Sequence, residues 1–148
     1  MVKLFIIHME VIMSIKDEYQ KMKINHQTKV ILFQSGSFYV TFFQDAEILN
    51  YLLSYQIHEN KVGFPLKNLE KVVFHLREEK LNYIVVDNQG EKIIFDEFEE
   101  DSYLKLFQLA SKYHLENVAQ KNLIDKIQYL MQLNPNYYTK IKEFIDEL

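Results

Sequence analysis

Apolar positions recur along this chain with two different periods, and the change from one to the other divides it. Val30–Phe33 is a run of four apolar β-formers, the signature of a buried strand. Ser35-Gly36-Ser37 reads as a turn, and Phe38–Phe43 resumes the β pattern, with Phe38, Val40 and Phe42 on one face and Tyr39, Thr41 and Phe43 on the other. Asp45 stands as N-cap to a helix from about Ala46 to Ser54, whose inward side carries Ile48, Leu49, Leu52 and Leu53. Tyr55–Gly63 suggests a further strand interrupted by a polar loop at His58–Lys61. Pro65 then introduces a helix over Leu66–Lys80 with Leu66, Leu69, Val73 and Leu76 near helical spacing. Tyr83–Val86 and Lys92–Phe95 are strands joined across Asp87-Asn88-Gln89-Gly90 in the manner of a hairpin. Ahead of all these, Ile15 to about Ile24 reads as a short polar helix with Tyr19 and Met22 inward. The expected fold class is therefore α/β (α+β), a mixed β-sheet flanked by helices.

From Asp96 the pattern is wholly helical. Asp101 or Ser102 suits the cap of a helix to about Leu115, with a break or bend at Glu116-Asn117 and a second stretch to about Leu133. Pro135 punctuates, and Asn136–Leu148 carries Tyr138, Ile141, Phe144 and Ile145 as an amphipathic set. Two parts follow: a mixed-sheet domain over 15–95 and a helical extension over 96–148. Residues 1–14 form an extra strand around Val2–Ile7 or, if translation begins at Met9 or Met13, a loose end.

Composition sharpens this picture. Only 3 glycines and 2 prolines in 148 residues favour long helices and compact connections. The absence of cysteine excludes disulfides, thiolate nucleophiles and Cys-based zinc sites, and is compatible with a reducing, cytoplasmic setting. The net charge of −4 is not the footprint of a strongly basic nucleic-acid binder. Lysine and arginine balance aspartate and glutamate up to residue 95, however, and the deficit lies in the tail, which leaves room for a local basic surface. The acidic run Asp96, Glu97, Glu99, Glu100, Asp101 is most simply a solvated helix entrance. Lys3, His8 and Glu10 interrupt the apolar start, which resembles neither a signal peptide nor a membrane span.

One stretch carries more than fold. An apolar strand, Val30-Ile31-Leu32-Phe33, leads through Gly36 to Phe38-Tyr39, then Phe42, then the pair Asp45-Ala46 at a helix start. Downstream, Gly63-Phe64-Pro65 precedes a helix and a strand. This order and spacing, over residues 15–95, resembles the N-terminal mismatch-recognition domain (domain I) of the DNA mismatch repair protein MutS, here without that protein's ATPase. In that family the phenylalanine matching Phe38 enters the minor groove and stacks on a mispaired base, an apolar wedge that works best where pairing is already weak. The family's glutamate two residues on, which hydrogen-bonds the odd base, is Val40 here. Its aspartate before the ring is Ser37, and its Tyr-His after Gly-x-Pro is Leu66-Lys67.

The resemblance thus implies a DNA-binding set of Phe38, Ser37 and Val40, to which the nearby cations Lys67 and Lys71 add candidate phosphate contacts. Lys16, Lys21, Lys23, Lys29, Lys61, Arg77 and Lys80 are further cations near the same elements. Two simpler readings stand beside these. A Phe-Val-Phe stripe is core in most strands, and lysines interleaved with Asp17, Glu18, Glu70, Glu78 and Glu79 are ordinary solvated helix surface.

Catalytic chemistry is not legible. There is no Gly-rich phosphate loop followed by Lys-Ser/Thr, and no Gly-x-Ser-x-Gly around Ser35 or Ser37. Histidines 8, 26, 58, 75 and 114 are too dispersed for metal-ligand spacing. The expectation is a protein without enzymatic activity, cofactor or metal, and not membrane-bound. It would bind mismatched, bulged or otherwise distorted duplex as an accessory factor in repair or in a mobile element. The rival expectation is an interaction module that has lost mismatch reading and docks a protein partner through its C-terminal helices.

Overall fold

The fold is described here from a computed structural model over residues 15–148; the strand expected around Val2–Ile7 lies outside the described residues. The first described element is a helix, α1, from residue 15 to residue 25. Strand β1 (Lys29–Ser35) and strand β2 (Phe38–Phe42) form a hairpin, followed directly by helix α2 (Phe43–Leu53). Strand β3 (Lys61–Pro65), a 3-10 turn (Leu66–Asn68) and helix α3 (Leu69–Glu78) come next. Strands β4 (Asn82–Val86) and β5 (Lys92–Phe95) complete a five-stranded sheet ordered β3-β2-β1-β4-β5. All neighbours are antiparallel except β1 and β4, which run parallel with Ile31 opposite Ile84.

Two cores result, one on each face. Val30, Leu32, Val62, Phe64, Tyr83 and Val85 pack against Ile48 and Leu49 of α2 and Val72 and Leu76 of α3. Ile31, Phe33, Val40, Phe42, Ile84 and Val86 form the other, with Tyr19 of α1. Val30, Ile31, Leu32 and Ile84 have no exposed surface, because the central strands are covered on both sides and read as unbroken apolar runs.

Several expected boundaries shift for identifiable reasons. The strand β2 stops at Phe42, because Phe43 takes a left-handed φ of 49° and its N–H donates to the Asn60 carbonyl at 2.8 Å. Helix α2 therefore begins ahead of Asp45, which is not its N-cap but a buried residue of its first turn. No strand forms at Tyr55. Glu59 and Asn60, both at positive φ, reverse the chain tightly between His58 and Lys61, so pairing starts only after them. In α3 the residue that faces inward with Leu76 is Val72, while Leu66 remains exposed at 37%.

The helix α4 runs unbroken from Tyr103 to Leu133, through Glu116-Asn117, where no Gly or Pro interrupts the hydrogen-bond ladder. At its start Asp101 Oδ1 accepts from the Tyr103 N–H at 3.1 Å. Helix α5 (Pro135–Asp146) is capped by Asn134, whose side chain accepts from the Asn136 N–H at 3.0 Å, with Pro135 in the first turn. The chain divides into two compact units, the first ending at Ser111 and the second spanning Lys112–Leu148. The first therefore extends past residue 95, since Tyr103, Leu106 and Ala110 of α4 are buried in its core.

Candidate nucleic-acid interface

The β1–β2 hairpin presents the ring that the sequence singled out. Gly36 turns the chain at φ 61°, in the left-handed region where L side chains are strained. Phe38 is the first residue of β2, paired with Ser35 on one side and Pro65 on the other. It shares a sheet face with Val40 and Phe42, yet burial changes sharply along that face. Phe42 and Val40 are each 7% exposed, and Phe38 is 50% exposed.

The cause is the position of α1. Tyr19 covers the Phe42 end of the strand, with ring centroids 5.4 Å apart and its hydroxyl donating to the Phe42 carbonyl at 3.0 Å. On the opposite face Tyr39 stacks on Phe64 at 5.8 Å, and Phe64 on Tyr55 at 5.7 Å. The ring at the lip thus rises from a strand clamped on both faces, so little backbone freedom remains to be lost on binding.

The remaining candidates fall into three groups. Ser37 is exposed, and its carbonyl accepts from the Leu66 N–H at 3.2 Å, which ties the β1–β2 turn to the 3-10 turn bearing Lys67. Lys67 and Lys71 are both exposed, the second lying in the first turn of α3. The structure therefore brings Phe38, Ser37 and Lys67 to one end of the sheet, with Lys71 one helical turn beyond. Gln34 links this end to the β4–β5 connection, accepting from the Asn88 N–H at 3.4 Å. Val40 corrects its expected placement: it is a core side chain of the second cluster, with 7% of its surface exposed.

Along the same face, a cleft of about 330 Å³ runs between Ser35 and Lys61, floored by Val40 and Phe42 and edged by Lys16, His58 and Glu59. Lys16 and Lys61 are exposed, so cationic groups border the face that Phe38 belongs to. Other cations are committed elsewhere. Lys29 pairs with Asp96 at 3.3 Å, and Arg77 lies over the Phe95 ring at 4.7 Å while bonding the Tyr83 hydroxyl. Lys23 is held inside the fold by Asp45 at 2.7 Å and by the Lys29 carbonyl at 2.6 Å.

That aspartate anchors a polar hub which sequence reasoning did not find. Asp45 is fully buried and accepts from the Tyr19 hydroxyl at 2.8 Å, the Ile31 N–H at 3.0 Å, the Lys23 ammonium and the Tyr103 hydroxyl. Burial lowers the Lys23 pKa, which the Asp45 charge partly offsets. Burial first, then the same charge, pushes both tyrosine hydroxyls far above their ordinary range. The hub joins α1, β1, α2 and α4 immediately behind the end of β2. The signals for it were a lone acid in an apolar setting and a tyrosine one helical turn before Lys23. Among the described residues no cluster of His, Cys, Asp or Glu is arranged to hold a metal, and no helix is long and apolar enough to cross a membrane.

Among the described residues, a mixed five-stranded sheet between helices, with an aromatic ring standing open at a hairpin turn, defines a small α/β domain. Residues 14–93 match MutS domain I, and the chain belongs to that family, as a mismatch-recognition-like domain. No curated protein matches the chain.

Proposed function

We propose that this protein binds duplex DNA whose pairing is disturbed, inserting Phe38 at the weakened step, and that it does so as an accessory factor that carries out no reaction. The observation that carries this reading is the half-exposed Phe38 at the outer end of β2, whose other two residues on that face, Val40 and Phe42, are buried. At that end of the strand the ring stands in solvent near Ser37, whose carbonyl accepts from the N–H of Leu66, the residue before Lys67. Wedge insertion costs a few kcal/mol of unstacking, and that cost is smallest at mismatches and bulges. With Val40 buried where the family carries its polar reader, discrimination rests on the deformability of the DNA step and not on the identity of the odd base. Lys67 and Lys71, with Lys16 and Lys61 along the cleft, supply sequence-blind attraction to phosphates.

The test is fluorescence anisotropy at low salt with matched, mismatched and bulged duplexes of one length. Wild type is expected to prefer the disturbed duplexes, and Phe38→Ala to lose that preference while retaining weak, salt-sensitive binding. Equal affinity of wild type for all three duplexes would remove the wedge from the account. The rival reading, a module that meets protein instead of DNA, draws on the apolar residues exposed over 112–148.

A further inference from the structure

Helices in the second unit lack a core of their own. Over residues 112–148 no side chain is buried, and only His114, Ile127, Leu130, Met131 and Ile141 are half-buried. Large apolar groups stand in solvent instead, among them Tyr138 at 56%, Phe144 at 64%, Ile145 at 58% and Leu148 at 91%. A helix of 12 residues such as α5 is marginal in water without tertiary packing, so this face requires an occupant.

The sequence of the helix states what fits it. Tyr138, Ile141, Ile145 and Leu148 are spaced 3, 4 and 3 residues apart, a pattern symmetric about position 143. At 100° per residue Tyr138, Ile141 and Ile145 make one stripe of α5, Leu148 follows two residues past the helix end at Asp146, and Glu143 points to the opposite side. Lys142 and Asp146 lie on one flank of the stripe, Lys140 and Glu147 on the other. An antiparallel copy of the same helix, related by a two-fold axis near residue 143, sets Tyr138 across from Leu148 and Ile141 across from Ile145. In that arrangement like flanks face each other, so Lys142 meets the copy's Asp146 and Lys140 meets the copy's Glu147. Parallel pairing would align lysine with lysine and acid with acid. The unit as a whole favours self-contact too, since Lys112, Lys121, Lys126, Lys140 and Lys142 balance Glu116, Asp125, Glu143, Asp146 and Glu147.

We infer that α5 is a homodimerisation helix, which pairs antiparallel with the α5 of a second copy of this chain through the Tyr138–Ile141–Ile145–Leu148 stripe. The interface is isologous, as two-fold contacts are, and exposed Leu123, Ile124 and Leu133 of α4 supply further apolar surface in the same unit. Self-association does not depend on the DNA reading, and each fails in its own assay. If both hold, one assembly offers two Phe38 wedges and gains from their tethering.

The experiment measures mass by light scattering over a concentration series of the whole chain. Wild type is expected to approach twice 17.9 kDa, and Ile145→Glu to stay at 17.9 kDa with its sheet unit still folded by near-ultraviolet circular dichroism. Lys142→Glu is expected to weaken the dimer roughly ten-fold, and Lys142→Glu with Asp146→Lys to restore it. Direction is read from a chain that has no cysteine of its own. When Tyr138→Cys and Leu148→Cys proteins are mixed and oxidised, the mixed disulfide is expected to dominate over either like pair. A monomeric wild type at every concentration, a dimer that survives Ile145→Glu, or a dominance of like disulfides would each overturn the proposal.

Discussion

Tyr103, at the first residue of α4, donates its hydroxyl hydrogen to Asp45 in the first turn of α2, 58 residues earlier in the chain. Lys23 stands over the same tyrosine ring, 4.3 Å from its centroid, while bonding the same carboxylate. The start of α4 is thereby made part of the sheet domain by a polar contact as well as by its apolar side.

Removing that carboxylate is expected to be among the costliest single changes in the first unit. Asp45→Asn leaves the Lys23 ammonium buried without a counter-charge and reduces the acceptor capacity shared by four donors. Losing one partner of such a buried set costs about 3–5 kcal/mol. Urea unfolding would check this, and a loss below about 1 kcal/mol would show that the hub relaxes or hydrates.

Alkaline conditions should weaken the fold through the same cluster. In the unfolded chain Tyr19 and Tyr103 ionise at their ordinary 10.0, whereas in the fold burial and the Asp45 charge keep both protonated well beyond that. Above pH 10 the unfolded chain therefore binds fewer protons, and stability falls as pH rises. Lys23 acts in the opposite sense, because burial lowers its pKa from 10.5 and its penalty fades as the solvent deprotonates it in both states. Two hydroxyls against one ammonium give a net loss. The urea midpoint is expected to decline from about pH 10 upward, less steeply in Tyr103→Phe.

Two phenylalanines on one strand face should respond differently to truncation. Phe42→Ala opens a cavity beneath Tyr19 and is expected to cost about 3–5 kcal/mol. Phe38→Ala removes a ring already half in water and is expected to cost about 1 kcal/mol or less. Equal losses would mean that Phe38 is a packing residue in solution.

Gly36 is a backbone requirement and not a spatial one. A Cβ there meets nothing within 4 Å, so Gly36→Ala is expected to cost only the left-handed strain, about 1–2 kcal/mol. Gly36→Asn should recover part of it, because asparagine tolerates that region better.

The phosphate contacts proposed for the lysines are tested by salt dependence. Each of Lys67→Gln and Lys71→Gln is expected to weaken DNA binding alike on matched and mismatched duplexes, and to reduce the slope of log K against log salt by roughly 0.9. An unchanged slope in the double variant would place the phosphates elsewhere.

Much of the fold was legible because its strands are short apolar runs with clear turns between them. Val30–Phe33, the Gly36 turn and the β4–β5 hairpin fall where the pattern put them, and so do Tyr19 and Met22 on the inner side of α1. What escaped was decided by contacts distant in sequence. Asp45 looked like a cap because local spacing suits one, and only Tyr19, Lys23 and Tyr103 converging in space make it a buried hub. Tyr55–Ile57 has the composition of a strand, but two positive-φ residues after it set the register of β3 instead. At the candidate interface, the exposure of Phe38 was undecidable from a Phe-Val-Phe stripe, since whether the last ring is covered depends on where α1 ends against the sheet.

The side-by-side pairing of β1 with β4 orders events during synthesis. A nascent chain that has emerged only as far as Leu81 holds the β1–β2 hairpin but lacks the strand that flanks β1 on its other side. Until Asn82–Val86 leave the ribosome, Ile31 and Phe33 have no neighbour along that edge, and the hairpin is an unpaired template for association with other chains. Slow codons or pauses placed before residue 82 should therefore raise aggregation far more than the same delays placed after residue 95.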